Sequence, residues 1–148
     1  MANNEKDSPG FGTPEEKLIL IVEDDDSVSD LLYYIVRREG FKTEKASDGK
    51  EALDKARLLH PQLILLDLML PKFGGWEILR ELQEGDTSNI PIVVVSSRNL
   101  DRSTSEMLKQ EPNVKDFIEK PVKSQVLAAL LHTLLKTQPS VKEGKQEP

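Results

Sequence analysis

The chain has 148 residues, enough for one domain with a real core. A net charge of −6, with 37% hydrophobic and 31% charged residues and no dense Lys/Arg cluster, argues against nucleic acid and membrane as direct partners. With no cysteine, disulfides and thiolate metal sites are excluded and a reducing cytosol is compatible.

The N-terminus, MANNEKDSPG, has neither a basic n-region nor an apolar h-region and is not a signal peptide. Residues 1–17 are polar and punctuated by Ser8, Pro9, Gly10, Gly12 and Pro14, which predicts a disordered leader. Leu18 to Val22 (LILIV) reads as a fully buried strand ending in Glu23, Asp24, Asp25 and Asp26. Val28, Leu31, Leu32, Ile35 and Val36 then form the stripe of an amphipathic helix, opened by Asp25 or Asp26 and closed by Gly40. Phe41 to Ala46 (FKTEKA) suits a charged edge strand. Asp48 with Glu51 resembles a capping box opening a helix through Ala52, Leu53, Ala56 and Leu59.

The run PQLILLDLMLP, Pro61 to Pro71, holds a buried strand with one carboxylate, Asp67, at its end. A loop with Gly74 and Gly75 leads to a helix carrying Trp76, Ile78, Leu79 and Leu82. Ile92 to Val95 is a fourth strand, ending at Ser96 and Ser97. Asn99 to Glu111 predicts a helix with little to bury, since its apolar residues are Leu100, Met107 and Leu108. Asn113, just after it, tolerates the left-handed geometry of a helix terminus. Asp116 to Glu119 predicts the last strand, followed by Lys120 and Pro121. Val126, Leu127, Leu130, Leu131, Leu134 and Leu135 stripe a final helix, and residues 137–148 read as a disordered tail. Five strands alternating with five helices over residues 18–136 imply an α/β domain with a covered parallel sheet.

Ligands bind beyond the carboxyl ends of such strands. Glu23 and Asp24, Asp67, Ser96 and Lys120 all sit at strand ends and meet at one sheet edge if the strands are parallel neighbours. Carboxylates about 5 Å apart repel by roughly 3 kcal/mol per pair at an effective dielectric of about 20, so a compensating cation is required. An all-oxygen site suits Mg²⁺, and a lysine with a hydroxyl opposite it can hold phosphoryl oxygens. Taken singly, each residue has a plainer reading: Asp25 and Asp26 as helix caps, Ser96 as a loop hydroxyl, Lys120 as a surface cation. His60 and His132 lack metal-ligand spacing and read as loop and helix-surface residues.

The segments LILIVEDD (Leu18 to Asp25), LILLDLMLP (Leu63 to Pro71) with Gly75, PIVVVSS (Pro91 to Ser97) and DFIEKP (Asp116 to Pro121) resemble the receiver domains of bacterial two-component response regulators. The resemblance spans about Lys17 to Lys136. It implies the flavodoxin-like doubly wound fold, strand order 2-1-3-4-5, with Asp67 as phosphoacceptor. Asp24, Asp67 and the Met69 carbonyl would bind Mg²⁺ directly, and Glu23 through water. Ser96 would be the switch hydroxyl, Phe117 the switch aromatic and Lys120 the phosphate-neutralising cation, with a cis Lys120–Pro121 bond. A histidine kinase or histidine phosphotransfer protein would be the donor, in the cytoplasm, and an unidentified protein would receive the signal. With no further module after the final helix, a stand-alone receiver is expected. Asn113–Val114 and Trp76 depart from the usual pattern of the family, as does Phe117 where tyrosine is frequent. The rivals are a pseudo-receiver interaction module and an aspartyl-phosphate hydrolase, which would want an acid where Met69 stands.

Overall fold

Each apolar run becomes a strand, and each 3.6-residue stripe a helix laid over the sheet. The computed structural model describes residues 12–70, 74–96 and 101–139, so Pro71, Ser97, Asn99 and most of both expected tails lie outside the described residues. The elements are β1 (Leu18–Val22), α1 (Asp26–Arg38), β2 (Lys42–Ala46), α2 (Gly49–Leu59), β3 (Leu63–Asp67), α3 (Gly75–Leu82), β4 (Ile92–Ser96), α4 (Arg102–Lys109), β5 (Val114–Glu119) and α5 (Ser124–Leu135). All five strands are parallel in one sheet, ordered β2-β1-β3-β4-β5. This is the flavodoxin-like doubly wound architecture. The charged β2 lies at an edge, where its lysines oppose further pairing.

The period of two along each strand divides the core. Leu20, Val22, Ile64, Leu66, Ile92 and Val94 face the side covered by α2 and α3, with Ala52, Ala56, Ile78 and Leu79. Ile19, Ile21, Leu63, Leu65, Val93 and Val95 face α1 and α5, with Leu32, Ile35, Leu127 and Leu131. Local chemistry sets the helix starts. Asp25 rather than Asp26 caps α1, accepting from the Val28 N–H at 3.1 Å. Asp48 caps α2 by accepting from the Glu51 N–H at 2.9 Å, and Glu51 reaches back to the Ser47 N–H at 2.9 Å. Gly40 turns out of α1 at φ 100°, where a side chain would be strained.

Several expectations need correction. Residues 12–17 are not a loose leader: Pro14–Glu16 form a 3-10 turn, and the Gly12 N–H donates to the Lys136 carbonyl at 2.8 Å. Thr137, expected in the tail, is buried and bridged to Gly12. His132 is not a surface residue of α5. Its Nε2 lies 2.9 Å from Glu39 Oε1, its Nδ1 2.7 Å from Thr137 Oγ1, and its ring lies against Phe41. Glu39 is 93 positions away, beyond any periodicity argument. Asn113 does not adopt the left-handed conformation; among described non-glycine residues only His60 and Lys136 have positive φ. β5 also begins earlier than expected, at Val114.

His132→Ala should lower the unfolding free energy by about 2 kcal/mol, because two hydrogen bonds and a ring contact are lost together. Hydrogen exchange should accelerate at the Gly12 and Thr137 amides while the β1 and β3 amides shift only with global stability. Unchanged exchange at Gly12 would exclude the clasp.

Candidate functional site

The site is assembled where four strands end. The Glu23 N–H donates to the Ala46 carbonyl at 3.0 Å, continuing the ladder one residue past β1 and holding Glu23 inward. The Asp25 N–H donates to Glu23 Oε2 at 3.1 Å. Glu23 is buried, while its neighbour Asp24 is exposed. Asp67 closes β3, is buried, and accepts the Met69 N–H on Oδ1 at 2.9 Å. The carboxylates of Glu23, Asp24 and Asp67 have oxygens within 4.8 Å of one another.

Register delivers the other two groups. Asp67 lies opposite Val95, so Ser96 stands one residue further along the neighbouring strand. Between β4 and β5 the pairing slips: Ile92 faces Val114 but Val93 faces Asp116, so Lys115 is extra. Such a bulge moves every later residue of the strand by one position. It sets Glu119 opposite Ser96, and the Lys120 N–H then donates to the Ser96 carbonyl at 2.6 Å. From there Lys120 Nζ reaches 3.0 Å from Glu23 Oε1 and 3.5 Å from Asp67 Oδ2. The Lys120–Pro121 peptide is cis. Phe117, opposite Val94, is 38% exposed and stands apart from the charged cluster. The Met69 side chain is exposed.

The electrostatics follow from this burial. Desolvation pushes the Glu23 pKa up, aided by the negative Asp67, against the opposing pull of Lys120 and the Asp25 N–H. Burial acts to lower the Lys120 pKa, but Glu23 and Asp67 together outweigh it and hold it above its ordinary value. Lys120 Nζ and Glu23 Oε1 form an ion pair at 3.0 Å. Apart from that ion pair, buried Glu23 Oε1 has no polar partner among the described residues. One ammonium reaches the two buried carboxylates, and a third carboxylate, that of Asp24, lies beside them. A hard divalent cation suits that donor set, because every donor is an oxygen and the net charge is negative.

Residues 19–132 match the response regulator receiver domain. The chain belongs to the receiver-domain family of response regulators. Receiver domains are the phosphorylation-dependent switches of two-component systems, and the acidic edge with its lysine matches that role. The "DNA-binding response regulator MtrA" of Mycolicibacterium smegmatis is 36% identical over 118 residues, covering 80% of this chain and 50% of the relative. The "alkaline phosphatase synthesis transcriptional regulatory protein PhoP" of Bacillus subtilis is 35% identical over 120 residues, 81% of this chain and 49% of the relative. The chain thus spans about half the length of the curated relatives it matches. Among solved structures, the Francisella response regulator 1452 receiver domain superposes with a TM-score of 0.72 at 26% identity, covering 81% of this chain and 97% of that one. The signal receiver domain of a histidine kinase from Syntrophus aciditrophicus gives 0.71 at 30% identity, covering 89% and 94%. No helix among the described residues is long and apolar enough to cross a membrane.

Sequence reasoning quoted Gly75 in the receiver motif without finding its task. A Cβ there would lie 2.5 Å from Leu68 Cα and 2.9 Å from the Asp67 carbonyl oxygen, so the start of α3 packs directly on the backbone bearing Asp67. The signal was a glycine at the first helical position of α3, just after the N-cap Gly74, where other residues form a helix more readily. Gly75→Ala should destabilise this receiver domain by about 2 kcal/mol. It should also shift the Asp67 and Leu68 backbone resonances more than those of β1; an unperturbed Asp67 loop would refute the close approach.

The raised pKa of Glu23 fixes the sign of a pH effect. The folded state binds the proton more readily than the unfolded chain, so Glu23 contributes stability below the ordinary carboxyl range. That contribution is lost as pH rises through its raised pKa. In chelator, the stability of wild type relative to Glu23→Gln should therefore improve as pH falls across this window. Urea titrations showing the opposite slope would contradict the burial argument.

Proposed function

We propose that Asp67 accepts a phosphoryl group from the phosphohistidine of a histidine kinase or histidine phosphotransfer protein. The reading is carried by one observation: a buried strand-end carboxylate shares its pocket with a second buried carboxylate, an exposed one and a lysine that reaches both buried groups. An Asp67 carboxylate oxygen attacks phosphorus in line, the P–N bond breaks, and the departing imidazole keeps its electron pair and takes up a proton. The Met69 N–H fixes the rotation of the carboxylate beforehand. Lys120, already charged and positioned by its own backbone bond to Ser96, meets the negative oxygens without reorganising.

Mg²⁺ is the cation proposed for the acidic set: Asp24, Asp67 and the Met69 carbonyl would hold it directly, and Glu23 through water. When bound it neutralises phosphoryl charge that Lys120 alone does not balance. Once the acyl phosphate forms, the Ser96 hydroxyl turns to a phosphoryl oxygen, and Phe117 moves inward from its half-exposed position. Ser96 and Phe117 thus act as the switch pair, and loss of the phosphoryl group to water resets it. The pseudo-receiver alternative has no observation in its favour, since Glu23, Asp24, Asp67, Ser96 and Lys120 are all present. The working location is the cytoplasm, where a kinase presents phosphohistidine. The signal then passes to a downstream protein partner.

With Mg²⁺ and acetyl phosphate, intact-mass spectra should show one added phosphoryl group on wild type and none on Asp67→Asn. Ser96→Ala should still accept phosphate while losing most of the hydrogen-exchange change in β5. Equal labelling of wild type and Asp67→Asn would overturn the assignment, and an undiminished change in Ser96→Ala would overturn the switch role.

A further inference from the structure

The five-stranded sheet ends in two open edges, β2 and β5. Backbone N–H and C=O groups that point outward from such an edge invite a further strand. Their direction follows from the ladder, because both groups of one residue share a side and successive residues alternate. At β2 the Lys42 N–H donates to the Lys17 carbonyl, and the Ala46 carbonyl accepts the Glu23 N–H. Even-numbered residues of β2 therefore face β1, and Thr43 and Lys45 face outward. At β5 the Lys120 N–H donates to the Ser96 carbonyl, which turns Phe117, three residues earlier, outward.

Side chains already occupy these outward groups. Lys55, on α2, donates from Nζ to the Lys45 carbonyl at 2.6 Å. That ammonium is held from two sides, 3.1 Å from Glu51 Oε2 and 3.4 Å from Glu44 Oε1. Glu51 is itself fixed by the Ser47 N–H, so the cation over this edge is anchored. Just ahead of the strand, the Thr43 hydroxyl donates to the Phe41 carbonyl at 3.2 Å. On the far edge, Asp116 Oδ1 accepts the Phe117 N–H at 2.8 Å. Exposed ion pairs contribute little to stability, so the placement of these two side chains calls for another reason. Both stand where a second chain would otherwise bond.

We propose that Lys55 and Asp116 are edge caps, which keep a second copy of this chain from adding its β2 or β5 to the sheet. A continued ladder needs the Lys45 carbonyl and the Phe117 N–H, and each already has a partner. The caps are independent of the phosphorylation of Asp67 proposed above.

Sedimentation of the full chain in chelator, from micromolar to millimolar concentration, tests them. Lys55→Met and Asp116→Ala each open one edge. Two like edges pair about a twofold axis and close, so each variant should reach about twice the wild-type mass and stop. The double variant opens both edges and should grow beyond that limit. It removes one cation and one anion, so the net charge stays at −6 and repulsion between copies is unchanged. In dilute Asp116→Ala the Phe117 amide should exchange about tenfold faster than in wild type, while β1 and β3 protection should hold. At high concentration protection should return at Phe117, and in Lys55→Met it should rise at Thr43 and Lys45. Asp116→Asn keeps an acceptor oxygen and Lys55→Arg keeps a donor, so neither should associate more than wild type. Variants that associate no more than wild type would overturn the caps. So would equal association in Asp116→Asn and Lys55→Arg, or protection gained away from β2 and β5.

Discussion

The ammonium of Lys120 is the charge on which the carboxyl edge of the sheet depends. Glu23 and Asp67 are both buried, and two carboxylates so placed repel each other unless a cation stands beside them. Lys120 lies within ion-pair reach of both. Its place is set by backbone pairing, since its N–H is bonded to the Ser96 carbonyl and the bulge at Lys115 chooses which residue arrives there. Site electrostatics are therefore a consequence of strand register.

The stabilising burial is unevenly spread. β1, β3 and β4 are buried almost throughout, and both faces of the sheet are covered by continuous apolar clusters. α4 contributes one residue to that burial, and β5 is mostly exposed. An element with so few buried contacts opens or shifts at little cost. The buried strands hold Glu23, Asp67 and Ser96 in place, while the side beside them is loosely covered.

At the end of the molecule away from the carboxylates, polar contacts do the opposite work. His132 joins α5 to the end of α1 through Glu39, and Thr137 with Gly12 ties residues 12–17 to the chain leaving α5. These contacts hold the two outermost described segments against each other, while the acidic edge retains unmet polar capacity.

Much of this protein was legible in its sequence because the relevant forces are local or periodic. LILIV, LILL and IVVV read as buried strands, their alternation with striped helices implied a parallel sheet, and the strand-end positions of Glu23, Asp24, Asp67, Ser96 and Lys120 pointed to one edge. Capping at Asp25 and Asp48 and the turn at Gly40 were likewise readable, since each involves residues a few positions apart. The tertiary structure decided what depends on remote partners. It selected Lys120 as the shared counter-ion, buried His132 against Glu39, made Asn113 an acceptor for Gln83, and pressed Gly75 onto the Asp67 backbone. No periodicity encodes such pairings: they follow from register, from one inserted residue in β5, and from which helices the sheet brings side by side.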